Sequence, residues 1–295
     1  MDAFALGSAL AQAIELSLLD GKRTLKSGSV AVSKSGAWYL AGAVGSENHL
    51  LDISSELAVL VRAAHNNDIL IEEIHTLVTD SAALISPLTL KILADHSART
   101  GIAIQYTIRD TTGKILFDIA DARDAIPFYR APDSVLGLVT KRAPKPAKVS
   151  LDKNSTESAE YQLRTWALAG CERNFPTYDG ASGYGAALLT ASGEIYYGGQ
   201  YSTFEQRLGV HAEMGVLINA LMDGVRDITH LGVASSSLRF VETPCSPCGC
   251  CRQFMAELFR SYDISPKILL FASGNEQFVS YAIENILPVQ WSNKK

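Results

Sequence analysis

At 295 residues the chain is long enough for two domains of moderate size, and its 47% hydrophobic and 19% charged residues suit a globular protein and exclude a disordered or fibrous one. A formal net charge of −5 gives no electrostatic footprint for nucleic acid or anionic lipid. No apolar stretch approaches the ~18 residues of a membrane span, and Met1-Asp2-Ala3-Phe4 lacks the basic start of a secretory signal.

Apolar spacing predicts an opening helix over 3–20. Ser29–Val32 and Trp38–Val44 alternate as two strands around the turn signal Lys34-Ser35-Gly36. A helix follows over Ser55–His65, a strand over Ile74–Val78, a helix over Pro87–Ala98 and a strand over Ile102–Ile108. The stretch Lys141-Arg142-Ala143-Pro144-Lys145-Pro146-Ala147-Lys148, then Asn154-Ser155-Thr156-Glu157-Ser158, reads as an extended linker. Its basic run lacks the aromatic platform of a nucleic-acid site. The second half repeats the order: helix 160–172, strands near 185–190 and 194–200, helix 212–223, strand 229–235, helix 247–261 and strand 267–272. This gives an α/β fold of tandem domains, each a mixed sheet flanked by helices in three α/β/α layers. The boundaries are 1–125, a linker at 126–158, and 159–295.

The halves also align residue by residue. Gly28 to Leu60 matches Gly185 to Leu217 at a fixed offset of 157, with Gly28/Gly185, Gly36/Gly193, Gly42/Gly199, Leu51/Leu208 and Glu56/Glu213 among the identities. The first copy is chemically empty. Ser54 stands where His211 stands, and matching Ser86–Lys91 to Ser246–Cys251 puts Leu88 and Lys91 in place of two thiols.

Five cysteines are present, and four crowd between Cys245 and Cys251, which is poor disulfide geometry and suits a reducing, cytoplasmic setting. Cys171 reads as a small buried hydrophobe. Pro244 and Pro247 open two overlapping P-C-x-x-C registers. The second, Cys248 and Cys251, is favoured: Ser246-Pro247 reads as an N-cap with proline at the first helical position, placing both sulfurs on one helical turn. Cys250 then reads as a packing residue, and Cys245 as lying near a metal or in the preceding loop. His211 ends an extended segment where a helix begins. One imidazole and two thiols leave the fourth position of a tetrahedral zinc open, as in a catalytic centre. A structural knuckle built from the four cysteines would leave His211-Ala212-Glu213 unexplained. His49, His65, His75, His96 and His230 read as structural or surface residues.

His211-Ala212-Glu213 with Pro247-Cys248-Gly249-Cys250-Cys251-Arg252-Gln253 resembles the cytidine deaminase family, through its H-x-E and P-C-G-x-C-R-Q elements. The resemblance covers about 185–260 well and the first half as a decayed copy. It implies a zinc-dependent aminohydrolase of nucleoside salvage acting on cytidine, deoxycytidine or a related aminated heterocycle. Zn2+ would be held by His211, Cys248 and Cys251, zinc-bound hydroxide would be the nucleophile, and Glu213 the proton shuttle. Arg252 would support the site by donating to a zinc thiolate. The family's ribose-holding N-x-E pair falls on Gln200 and Ser202, and its base-packing aromatic on Ser182. The resemblance also implies a homodimer of pseudo-tetrameric form whose first domain walls the active site. Two readings compete with it: a single-stranded nucleic-acid cytosine-editing deaminase, which calls for a basic groove, and a non-catalytic zinc-stabilised interaction protein.

Overall fold

The computed structural model describes residues 3–18, 26–47, 51–79, 86–126, 129–139, 142–204 and 209–290. His49, Leu208 and Lys141, used above, lie outside them. The first half runs α1 (Ala3–Glu15), β1 (Ser27–Ser33), β2 (Trp38–Gly42), α2 (Ser55–His65), β3 (Ile71–Val78), α3 (Pro87–Thr100), β4 (Gln105–Asp110) and β5 (Ile115–Ile119), with a 3-10 turn at Ala122–Ala125. After β6 (Lys148–Ser150), the second half runs α4 (Ala159–Cys171), β7 (Tyr184–Thr190), β8 (Glu194–Gly199), α5 (Ala212–Met222), β9 (Ile228–Ser235), α6 (Gly249–Tyr262), β10 (Lys267–Phe271), β11 (Phe278–Tyr281) and α7 (Ile283–Ile286).

The strand orders are β2-β1-β3-β4-β5 and β11-β10-β9-β7-β8-β6. Read from β8, the second sheet repeats the first, with β6 added at its edge. The pairing senses repeat too: β1 and β7 are antiparallel to both neighbours, and β3–β4 and β9–β10 are the parallel pairs. Even the register irregularity recurs, at Val32/Ser33 and Leu189/Thr190. β6 arises within the stretch read as linker and pairs with β8 through Lys148–Tyr196, Val149–Ile195 and Ser150–Glu194.

Alternating side chains divide the layers. Val30 joins Leu6, Leu10 and Ala13 beneath α1, whereas Ala31 joins the core containing α2. Ala187 faces Leu163 and Ala167 of α4, whereas Ala186 and Leu188 face the side of α5. The core holding α2 and α5 is continuous, so the inner helices of both halves share one apolar layer. α4 crosses β7 so closely that a Cβ on Gly185 would stand 2.1 Å from the carbonyl oxygen of Ala167.

Three sequence expectations need correction. The opening helix stops at Glu15, because Leu18 donates its N–H to the Ala43 carbonyl and accepts from Gly45, bridging to Val44. The strand expected from Ile102 begins at Gln105, after Ile104 has turned its carbonyl to the Ala122 N–H. The third concerns register. α3 and α6 begin at Pro87 and Gly249 and end at the left-handed caps Gly101 and Asp263, an offset of 162. The counterparts of Cys248 and Cys251 are therefore Ser86 and Thr89, not Leu88 and Lys91. Leu88 is exposed and Lys91 pairs with Asp95.

Candidate metal centre

His211 and Cys248 are the N-caps of α5 and α6, with backbone angles of −69°, 159° and −72°, 168°. Each carbonyl accepts the first intrahelical bond, from Gly215 and Arg252. Neither side chain caps its own helix, so both are free to meet between the helix starts. The Ser246-Pro247 cap expected from sequence is thereby corrected: α6 starts two residues later, on Cys248 itself. The expected arrangement occurs instead at α3, where Ser86 caps and Pro87 opens the helix.

His211 Nδ1 lies 3.5 Å from Cys248 Sγ and 3.2 Å from Cys251 Sγ, and the sulfurs are 3.5 Å apart. Among the described residues these three form the group able to hold a metal, with ligand atoms within 4.8 Å of one another. Bonds of ~2.3 Å to sulfur and ~2.05 Å to nitrogen at tetrahedral angles require separations of ~3.8 and ~3.6 Å. The trio is slightly contracted from that and fits a zinc ion. Cys251 is buried and Cys248 exposed, which leaves one side of the trio open.

The electrostatics favour a thiolate at Cys248. The Cys251 thiol and then the His211 imidazole pull the Cys248 thiol down to about 3, while Cys251 keeps the shared proton and is pushed up. Cys248 is the N-cap of α6 and Cys251 lies in its first turn, where free N–H groups stabilise negative charge. His211 is raised by its bond to Cys248. Glu213, in the first turn of α5, is 5% exposed. Burial pushes its carboxyl up, while the His211 imidazole and a bond with Cys251 hold it back.

The other candidates fall differently. Arg252 does not reach a thiolate: Nε donates to the Pro247 carbonyl (2.9 Å), Nη1 to the Ile286 carbonyl (3.0 Å) and Nη2 to Ser246 Oγ (2.8 Å). It clamps the loop that delivers Cys248. Gln200 and Ser202 are half-buried and held through their backbones, with Phe175 N–H donating to the Gln200 carbonyl and Ser202 N–H to the Phe175 carbonyl. Cys250 is exposed, so it is not a packing residue. Cys245 is buried, outside the trio, and pushed up to about 12 by burial and then by the charge of Glu213. Cys171 is buried, as expected, and pushed up to about 11.

The first half keeps the scaffold and not the chemistry. Ser54 has angles of −65° and 155°, close to those of His211, and uses its hydroxyl to cap α2 at the Leu57 N–H. Glu56 accepts from Tyr106 OH (2.7 Å) and Thr76 Oγ1 (3.0 Å). His96 is structural, as expected, but sequence reasoning did not anticipate that it and Arg99, buried on α3, reach into the second half. Their only trace in the sequence is a histidine and an arginine three apart on one helix.

No protein-family model matches the chain. Curated relatives are cytidine deaminases: that of Sporosarcina psychrophila is 40% identical over 73 residues, 25% of this chain and 51% of the relative. That of Halalkalibacterium halodurans is 38% identical over 74 residues, 25% of this chain and 53% of the relative. Cytidine deaminase 6 of Arabidopsis thaliana is 28% identical over 106 residues, 35% and 34% of the two chains. The chain thus spans from about a third to about half the length of these relatives. Among solved structures, the cytidine deaminase of Burkholderia pseudomallei matches at 25% identity and a TM-score of 0.40, covering 45% of this chain and all of that one.

Proposed function

We propose that this chain, similar in sequence to the cytidine deaminases, is a zinc-dependent aminohydrolase that releases ammonia from cytidine, deoxycytidine or a related aminated heterocycle. The observation that carries the reading is the trio at two facing helix starts, with the buried carboxyl of Glu213 in the first turn of one of them. His211, Cys248 and Cys251 would hold the zinc. When bound there, zinc supplies Lewis-acid activation of a water near neutral pH.

The chain's own residues do the rest. Glu213 is the proton carrier: it takes one proton from the attacking water and gives it to the heterocycle nitrogen, then takes the remaining hydroxyl proton of the adduct and gives it to the departing amine. A raised carboxyl pKa suits a group that must both accept and donate. Arg252 fixes the loop through Ser246 and Pro247, and so the position of the Cys248 sulfur. Gln200 offers an amide to a sugar hydroxyl, and Ser202 a hydroxyl where the family carries a carboxylate. Residues 159–295 form the catalytic unit and 1–125 the metal-free partner. The test is ammonia release by the zinc-loaded chain from cytidine, deoxycytidine, cytosine, adenosine and single-stranded DNA. Release from a free nucleoside is expected, and none from any of the five would overturn the reading.

A further inference from the structure

α3 of the metal-free half reaches the segment that leads to His211. Arg99, fully buried, donates from Nη1 to the carbonyls of Ser202 (2.8 Å), Pro176 (2.9 Å) and Phe175 (3.5 Å). Its guanidinium lies 4.0 Å from the centre of the Phe175 ring. One turn earlier, His96 Nε2 donates to the Ile69 carbonyl, so Nδ1 accepts from Tyr201 OH at 2.8 Å. The clamped backbone is a small ladder. Phe175 bridges to Tyr201, and Tyr201 exchanges both hydrogen bonds with Val210, the residue before His211.

The same ladder exists in the first half, as Leu18–Val44–Ile53, and α6 reaches past it in a different way: Glu257 accepts from Ser46 Oγ and from the Glu47 N–H, and Arg260 donates to the Glu47 carboxylate. At the offset of 162, the counterparts of His96 and Arg99 on α6 are Leu258 and Ser261, and Ser261 is exposed. Among the described residues, a guanidinium on the carbonyls of the ladder segments therefore occurs only in the half that carries the trio. Stability alone does not account for it. A buried guanidinium with an Nη2 unpartnered among the described residues is costly, and its counterpart in the other half is an exposed serine that avoids that cost.

We propose that Arg99 is a positioning residue for substrate binding: by fixing the carbonyls of Phe175, Pro176 and Ser202, it holds Gln200 and Ser202 in one geometry on the segment that pairs with Val210, the residue before His211. Its kinetic test rests on the deaminase reading, and its structural test does not.

The experiment uses full-length, zinc-loaded Arg99→Met and Arg99→Lys, with cytidine as the probe and amide exchange read at Tyr201, Ser202 and Val210. Loss of charge-assisted bonds to three carbonyls is expected to raise KM for Arg99→Met by about tenfold or more, and to lower protection at these amides by a similar factor. The kcat should stay within about threefold, with zinc content and β7 and β9 protection unchanged, because Arg99 touches neither the trio nor Glu213. Arg99→Lys should recover part of the KM, since it restores the charge and not the fork. Unchanged KM with unchanged protection would overturn the proposal, as would uniform loss of protection with loss of zinc. If the wild type releases no ammonia from cytidine, the deaminase reading falls and the exchange pattern decides alone. Protection lost selectively at these amides then upholds the clamp, and unchanged or uniform protection rejects it. If Arg99→Met does not fold, Arg99→Lys carries the same comparison at smaller amplitude.

Discussion

Glu56 and Glu213 occupy the same place in helices of equal length, and their surroundings separate them. Glu56 is spent on hydroxyls of β3 and β4, through Thr76 and Tyr106. Glu213 faces thiols, with burial raising its pKa. Glu213→Gln removes the titratable oxygen and keeps the shape. Ammonia release should fall by about 10²–10⁴ while zinc stays at one per chain, by turnover assay and metal analysis. Glu56→Gln should leave turnover unchanged and cost about 1 kcal/mol or less, because Tyr106 and Thr76 donate to one oxygen, which the amide oxygen replaces, and only the charge on the acceptor is lost. Turnover lost equally in both variants would assign Glu213 a structural role. At this scale the sequence was readable where chemistry dictates residue type. His211, Cys248 and Cys251 are soft ligands at recognisable spacing, and the structure brings them together. Arg252 was legible as a neighbour and not as a direction, since a long side chain goes where acceptors lie, and these are Pro247, Ile286 and Ser246.

At the scale of elements, one backbone turn does two jobs. Ser54 caps α2 through its hydroxyl, while His211, in nearly the same conformation, leaves α5 without a side-chain cap. A candidate ligand stands where the other half has a cap, and serine in place of an uncapping residue is worth about 1 kcal/mol. His211→Ser should therefore abolish tight zinc binding, and yet unfold at higher denaturant than the metal-free wild type by about 1 kcal/mol. Lower stability than the metal-free wild type would show that the imidazole holds the site together without metal. Helices with inner apolar faces, such as α2 and α5, were legible to within a residue. β6 was not, because three residues, Lys148–Ser150, carry no periodicity and become a strand only by pairing with β8. The register of α3 against α6 was also hidden. The second half is five residues longer between β9 and α6 than the first between β3 and α3, and only the left-handed caps at Gly101 and Asp263 fix the offset.

For the whole molecule, the joint between the halves is a histidine in a slot made of glycine. The His65 ring fills the space where a Cβ on Gly198 would lie 2.2 Å from Nδ1 and one on Gly215 2.6 Å from Cε1. Its Nε2 donates to the Gly199 carbonyl, Nδ1 accepts from Asn219, and Arg173 donates to its own carbonyl. Burial pushes the imidazole down to about 4, so it is neutral in the fold. An unfolded chain protonates it below its ordinary value of about 6.5, and the folded chain does not until about 4. Stability from this group is complete above pH 6.5 and lost as pH falls towards 4, at up to ~1.4 kcal/mol per pH unit. The stability gap between wild type and His65→Gln should therefore narrow from pH 7 to pH 4.5, measured by denaturant unfolding at each pH. A constant gap would mean that His65 takes up its proton in the fold at the same pH as in the unfolded chain.

Such a joint makes the halves poor independent units. α2 buries ten of its eleven residues, and its core is continuous with that of α5. A 150–295 fragment would expose the α5 side of that layer, empty the slot beside Gly198 and Gly215, and free the carbonyls that Arg99 holds. It would keep every ligand of the trio. The expected outcome is a fragment that binds zinc weakly or aggregates and turns over well below the full chain, by metal analysis, light scattering and ammonia assay. The full chain should scatter at twice its mass of 31.8 kDa, because one chain already joins two copies of the fold and two chains complete a four-domain assembly. A stable, fully active 150–295 fragment would show that the first half is dispensable to the site, and that the shared core between α2 and α5 serves stability alone.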